Sequence, residues 1–163
     1  MTSLKLTLAA VALFGLTACD SAGSMGGFDK NGSIMQSSLD PAGVAYFNEE
    51  IGDTVVFLVD QSSLTLVAIN LLNKQAEWLL NNPNKSVTIE GHADETGTRE
   101  YNLALGARRA ASVQNYLVSR GLTDARISTV TFGKERPLAI CSDEACWSKN
   151  RRSVTLVAGG LGS

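Results

Sequence analysis

The chain has 163 residues, 44% of them hydrophobic and 18% charged, with a formal net charge of −2. That length leaves room for one domain of about 100–120 residues plus a tether. A mildly acidic balance with no basic stripe argues against nucleic acid as a partner, and no segment beyond the N-terminal leader is long and apolar enough to span a membrane.

Met1–Thr7 carries one positive charge, Lys5, and Leu8–Thr17 is an apolar run shorter than the roughly 20 residues of a membrane span. A basic start, an apolar centre and small residues make a secretory signal over 1–18. The run ends in Leu16-Thr17-Ala18-Cys19, which resembles the bacterial lipobox. The resemblance implies that Cys19 is lipidated on sulfur and on its new amine. At roughly 0.8 kcal/mol per buried CH₂, three acyl chains give an essentially permanent anchor. Residues 19–43 follow as a tether rich in Gly, Ser, Asp and Asn. About 20 such residues span on the order of 25 Å as a coil and roughly 65–70 Å extended.

The folded domain is expected over 44–158, with 159–163 as a tail. Val44–Glu50 and Thr54–Val59 flank Gly52-Asp53, which predicts a short hairpin. Val55–Val59 is apolar throughout, as in a strand covered on both faces. From Ser62 the period becomes helical: Leu64, Val67, Ala68, Leu71, Gln75, Trp78 and Leu79 share a stripe, with Ser62 or Ser63 as N-cap and Pro83 as the stop. Ser86–Glu90 alternates as a strand, and Gly91–Gly97 is a polar loop. Thr98–Arg120 is a second helix with its stripe on Leu103, Ala107, Ala110, Val113 and Leu117, closed by Gly121. Ile127–Phe132 and Arg152–Val157 are further strands, and Asp143–Asn150 is a short helix. Two long helices alternating with strands predict one mixed sheet with the helices on one face.

Cys141 and Cys146 form an even pair in an exported chain, and a disulfide is expected between them. It closes a short loop and contributes about 2 kcal/mol. Two free thiols are the alternative. No metal site is expected, because only two thiols and one distant histidine are present. Residues seven apart on a helix share a side, so Asn102 and Arg109 lie together on the flank of the apolar stripe, with Arg108 nearer solvent. Asp94 sits in the loop leading into that helix. Arg109 offers a planar fork for a carboxylate and Asp94 an acceptor for an ammonium group. The pair suits a ligand with an amine and a carboxylate on one carbon; a structural ion pair is the other reading.

The segments VTIEGHADETGTREYNLALGARRAASVQNYL, GLTDARISTVTFGKERP and SKNRRSV resemble the OmpA-like C-terminal domain, most of all that of the peptidoglycan-associated lipoproteins of the Tol–Pal system. The likeness covers about Val55–Val157. It implies an α+β two-layer sandwich in β/α/β/α/β order, with about four strands in a mixed sheet and two long helices on one face. It implies binding of the diaminopimelate of the peptidoglycan stem peptide, with Asp94 and Arg109 as ligand-binding residues and Asp60 as a second aspartate. It further implies partnership with the Tol proteins, a periplasmic propeller among them. The same likeness points to an outer-membrane lipid anchor, although Asp20 directly after Cys19 is compatible with the inner membrane. Leu58 stands where the family often has a carboxylate.

Around that site, Gly97 is expected to supply loop geometry and Asn102 to cap or brace the loop. Tyr101 and Leu105 are either core or site wall. Asn150 and Arg151 are expected to brace the site or the last strand, and His92 to be a turn residue. No cofactor is expected. Wall hydrolysis needs paired carboxylates across a sugar, an activated nucleophile or an open metal site, and no such set accompanies the single histidine. The expected function is non-covalent anchoring of a membrane to peptidoglycan. The alternative is an OmpA-like lipoprotein of a secretion or motility assembly.

Overall fold

The computed structural model describes residues 39–158. The expected leader, Cys19, most of the tether and the tail lie outside the described residues. Among the described residues no helix is long and apolar enough to cross a membrane.

The first described element is a helical turn where a hairpin arm was expected. Helix α1, Val44–Tyr46, continues into a π-helical turn, Phe47–Ile51. Phe47 and Ile51 are four apart and share a helical face, which puts Phe47 wholly inside, 4.9 Å from the Trp78 ring. Gly52, at φ +92°, ends the turn. Ordered contacts reach back into the segment expected as tether: Trp78 donates its indole N–H to the Pro41 carbonyl at 2.7 Å, and Gly43 N–H bonds to Asp40 O at 2.8 Å.

Strand β1 is only Thr54–Val56. The apolar run beyond it does not continue as a strand covered on both faces, because β1 is an edge strand and helices cover only one side of the sheet. Val55 is buried there, while Val56, Leu58 and Val59 are exposed. Helix α2, Leu66–Asn81, is capped by the Thr65 hydroxyl, which accepts from Ala68 N–H, and not by Ser62 or Ser63. Its buried stripe is Ala68, Leu72, Gln75, Ala76, Trp78 and Leu79, so Val67 faces out. Strand β2 is Ser86–His92 and helix α3 is Arg99–Ser119, capped by Thr98. Strand β3 is Ile127–Gly133, helix α4 Glu144–Asn150 and strand β4 Arg152–Ala158.

The sheet order is β1-β4-β2-β3, with β2 parallel to β3 and β4 antiparallel to both of its neighbours. The fold is the expected α+β two-layer sandwich with a mixed four-stranded sheet. Val55, Val87, Ile89 and Ile127 meet Leu72, Leu79, Ala110, Val113 and Leu117 in the core. Gln75 is the polar exception; it bonds Gly52 O at 2.7 Å and accepts from the Thr155 hydroxyl at 3.0 Å, so burial leaves neither end unpaired. Helix α3 lies close on β2 through two glycines. A Cβ on Gly91 would fall 1.9 Å from the Gly106 carbonyl oxygen.

This topology gathers one end of the molecule. The C-terminal ends of β1, β2 and β3, the start of β4 and the N-terminus of α3 all converge there.

Candidate functional site

Arg109 is the pivot of that end, and it is deeper than its position on the flank of the predicted stripe implies. The buried face of α3 runs through Asn102, Leu105, Gly106, Arg109, Ala110, Val113 and Leu117. It is rotated toward Arg109 because the two facing glycines let the helix settle onto β2. Arg109 is wholly buried. Its Nε donates to Gln61 O at 2.8 Å, Nη1 to His92 O at 2.8 Å and Nη2 to Leu58 O at 3.2 Å. One guanidinium thus ties the ends of β1 and β2 to α3, over the Phe57 ring at 5.3 Å. Three of its five N–H donors are used on carbonyls. Burial pulls its pKa down to about 10, with Asp94 the chief opposing influence. It remains a cation at neutral pH.

Asp94 sits just past β2, nearly buried. Its Oδ1 accepts from the Thr96 N–H at 3.1 Å and from the Thr96 hydroxyl, a turn that presets the loop. Its Oδ2 lies 3.2 Å from Arg151 Nη1. The direct partner of Asp94 is therefore Arg151. Among the described residues no carboxylate lies within 4.0 Å of the Arg109 guanidinium. Arg109 and Asp94 do share one end of the sheet, close enough for the carboxylate to support the guanidinium charge.

Asp60 follows β1 in the left-handed region, at φ 56°, where aspartate is tolerated better than most residues. It accepts a hydrogen bond from the Tyr101 hydroxyl. That bond, more than burial, raises the Tyr101 pKa. Val59, Asp60, Asp94, Thr96, Gly97, Tyr101, Asn102 and Leu105 line a cleft of about 210 Å³. Gly97, at φ +89°, turns the loop. Asn102 Nδ2 bonds Thr96 O at 2.8 Å and so braces it, while Lys134 Nζ, just past the end of β3, fastens it through Gly97 O at 2.7 Å. Tyr101 and Leu105 both line the cleft, Leu105 from the buried side and Tyr101 exposed. His92 ends β2 with its ring turned to Glu90 at 3.4 Å and to Phe132. Burial, then the Arg152 charge, lowers its pKa. A larger hollow of about 600 Å³ beside α2 involves none of these residues.

Sequence reasoning did not single out Thr96, Val59 or Glu144. The Asp-x-Thr spacing of 94–96 is a signal for the first. Arg151, buried, reaches Asp94, Glu144 and the Phe57 carbonyl at 3.3 Å. Asn150 holds the 138–139 backbone through three hydrogen bonds. Cys141 and Cys146 are joined as a disulfide.

The profile of the OmpA family matches residues 56–151. The chain belongs to the OmpA family. A Rhizobium meliloti relative of this family, named peptidoglycan-associated lipoprotein, is 56% identical over 117 residues, covering 72% of this chain and 66% of its own length. A Mesorhizobium japonicum relative of the same name is 42% identical over 98% of this chain and 95% of its own. Among solved structures of the family's fold, the peptidoglycan-associated lipoprotein of Burkholderia pseudomallei superposes with a TM-score of 0.68 at 36% identity, covering 73% of this chain and all of that one. The C-terminal domain of Helicobacter pylori MotB superposes at 0.61 with 18% identity, over 66% of this chain and 84% of that one, a likeness of fold alone. The Rhizobium, Mesorhizobium and Burkholderia proteins share the name peptidoglycan-associated lipoprotein.

Proposed function

We propose that the domain holds peptidoglycan non-covalently by taking the diaminopimelate of the stem peptide into the cleft at the ends of β1 and β2. One observation carries this: two carboxylates, Asp60 and Asp94, line a small cleft beside a buried guanidinium that, among the described residues, no carboxylate pairs with directly. Diaminopimelate ends in a carbon that bears an ammonium and a carboxylate. The ammonium meets Asp94 and Asp60. The carboxylate is drawn by the charge of Arg109, which is buried beside the cleft and does not itself line it. The curated relatives' shared name supports the ligand class.

In the same reading Cys19 carries lipid and fixes the N-terminus in the outer membrane, so the chain couples that membrane to the wall. Membership of the Tol–Pal system, with Tol proteins as partners, belongs to the proposal and rests on the relatives. The test is a sacculus pull-down of the domain with free diaminopimelate as competitor. Asp94→Asn keeps the Thr96 bonds but loses the charge. It should weaken binding about 30-fold, because a buried charged contact contributes roughly 2–4 kcal/mol. Unchanged binding by both Asp94→Asn and Asp60→Asn would reject the cleft as the site.

A further inference from the structure

Asp94 does not stand alone behind the cleft. Its partner Arg151 is shared with Glu144, which contacts both Nη1 and Nη2. The bond to Glu144, ahead of that to Asp94, raises the proton affinity of Arg151. The two carboxylates are differently placed: the Asp94 side chain is 9% exposed and that of Glu144 63%. Glu144 is the first residue of α4. It follows the N-cap Asp143, whose Oδ1 accepts from Ala145 N–H at 2.8 Å and Cys146 N–H at 3.2 Å. The disulfide from Cys141 to Cys146 closes over this cap and Glu144. A short helix of seven residues has little intrinsic stability, so the bridge and the cap fix where Glu144 stands.

We propose that Arg151 is a positioning residue for the cleft, and that the disulfide-closed loop sets, through Glu144, how much of the Arg151 charge falls on Asp94. This rests on the diaminopimelate reading above. With Glu144 in place, Arg151 is held to one rotamer and its charge is offset from outside, leaving Asp94 able to attract a ligand ammonium. Without Glu144, the full guanidinium charge faces Asp94 and competes with the ligand. The loop thus acts on a ligand it does not touch.

The test measures diaminopimelate-competed sacculus binding and the thermal midpoint of the same samples. Glu144→Gln should weaken binding about fivefold while the midpoint moves little, because an exposed side chain contributes little to stability. The Cys141→Ser/Cys146→Ser variant should weaken binding in the same direction. Dithiothreitol, which closes to its cyclic disulfide as it reduces the bridge to two thiols, should do the same to wild type and nothing to the variant. Because both changes act through Arg151, the triple variant should bind within about twofold of Glu144→Gln. Wild type that is competed by diaminopimelate while Glu144→Gln binds equally well overturns the role of Glu144. Losses that multiply in the triple variant overturn the shared route. Wild type that diaminopimelate fails to compete overturns the ligand reading itself, and this inference with it.

Discussion

Replacing Arg109 by alanine should damage the fold before it reports on binding. The guanidinium donates to three carbonyls from two separate segments, those of Leu58, Gln61 and His92. The His92 bond is buried, and the other two are partly buried. A buried carbonyl left without a donor costs about 1–3 kcal/mol. Water reaching the two outer carbonyls recovers part of their share, while the lost stacking on Phe57 adds to the cost. The net loss is about 3–5 kcal/mol, against a total stability of roughly 5–15 for an ordinary domain. In urea, at a slope of about 1–1.5 kcal/mol per molar, the midpoint should fall by about 2–5 M. Fluorescence of Trp78, packed on Phe47, follows the transition. A midpoint within 0.5 M of wild type, roughly half a kcal/mol, would refute the view that this arginine ties the strand ends together.

Gly91→Ala should cost about 3 kcal/mol or more, or abolish folding, since its Cβ would overlap the Gly106 carbonyl of α3; a wild-type thermal midpoint would contradict the close helix–strand approach. The His92 pKa is lowered in the native state, chiefly by burial. Below its unfolded value of 6.5 the unfolded chain takes up the proton first, so stability is unaffected above about pH 6.5 and falls as pH drops below it. Wild type should therefore lose more thermal stability between pH 7 and 5 than His92→Gln, and parallel curves would argue against it. The Tyr101 phenol should titrate above its ordinary value because of Asp60. In ultraviolet titration, with Tyr101→Phe identifying the signal, Asp60→Asn should bring it back down; an unmoved Tyr101 signal would mean that the two do not bond in solution.

The long elements were legible because their signals are long. Helix α3 shows its stripe and caps over 21 residues, and β2, β3 and β4 show alternation or β-branching. What misled was short and apolar. Val44–Glu50 contains Val, Tyr and Phe, which favour strands, but the i, i+4 placing of Phe47 on Trp78 and Ile51 against the core decides for a helix. In Val55–Val59, Phe57 still turns into the core, but Leu58 and Val59 are exposed past the end of the strand, and Val59 lines the cleft. The neighbourhood of Asp94 and Arg109 was legible as helix geometry plus family likeness. Their actual partners were not, since Arg109 meets carbonyls 17 to 51 residues away and Arg151 reaches Asp94 across 57. Hydrogen bonds to main-chain oxygens leave no trace in side-chain identity.

That choice of carbonyls has a consequence for binding. Had Arg109 paired directly with Asp94, a zwitterionic ligand would have to separate a buried ion pair, and leaving a buried charge without its partner costs about 3–5 kcal/mol. Carbonyls hold the guanidinium in place without cancelling its charge. The nearest counter-charge of Asp94 comes instead from Arg151, whose own charge is offset by Glu144 from the solvent side. The cleft therefore keeps its carboxylates and its buried cation fixed before a ligand arrives. In the proposed mode the ligand's ammonium meets carboxylates that are already in place, and that contact loses little to ordering. Loosening either holder, the carbonyl set around Arg109 or the outer carboxylate on Arg151, should then weaken binding even though neither Leu58 O, His92 O nor Glu144 lines the cleft.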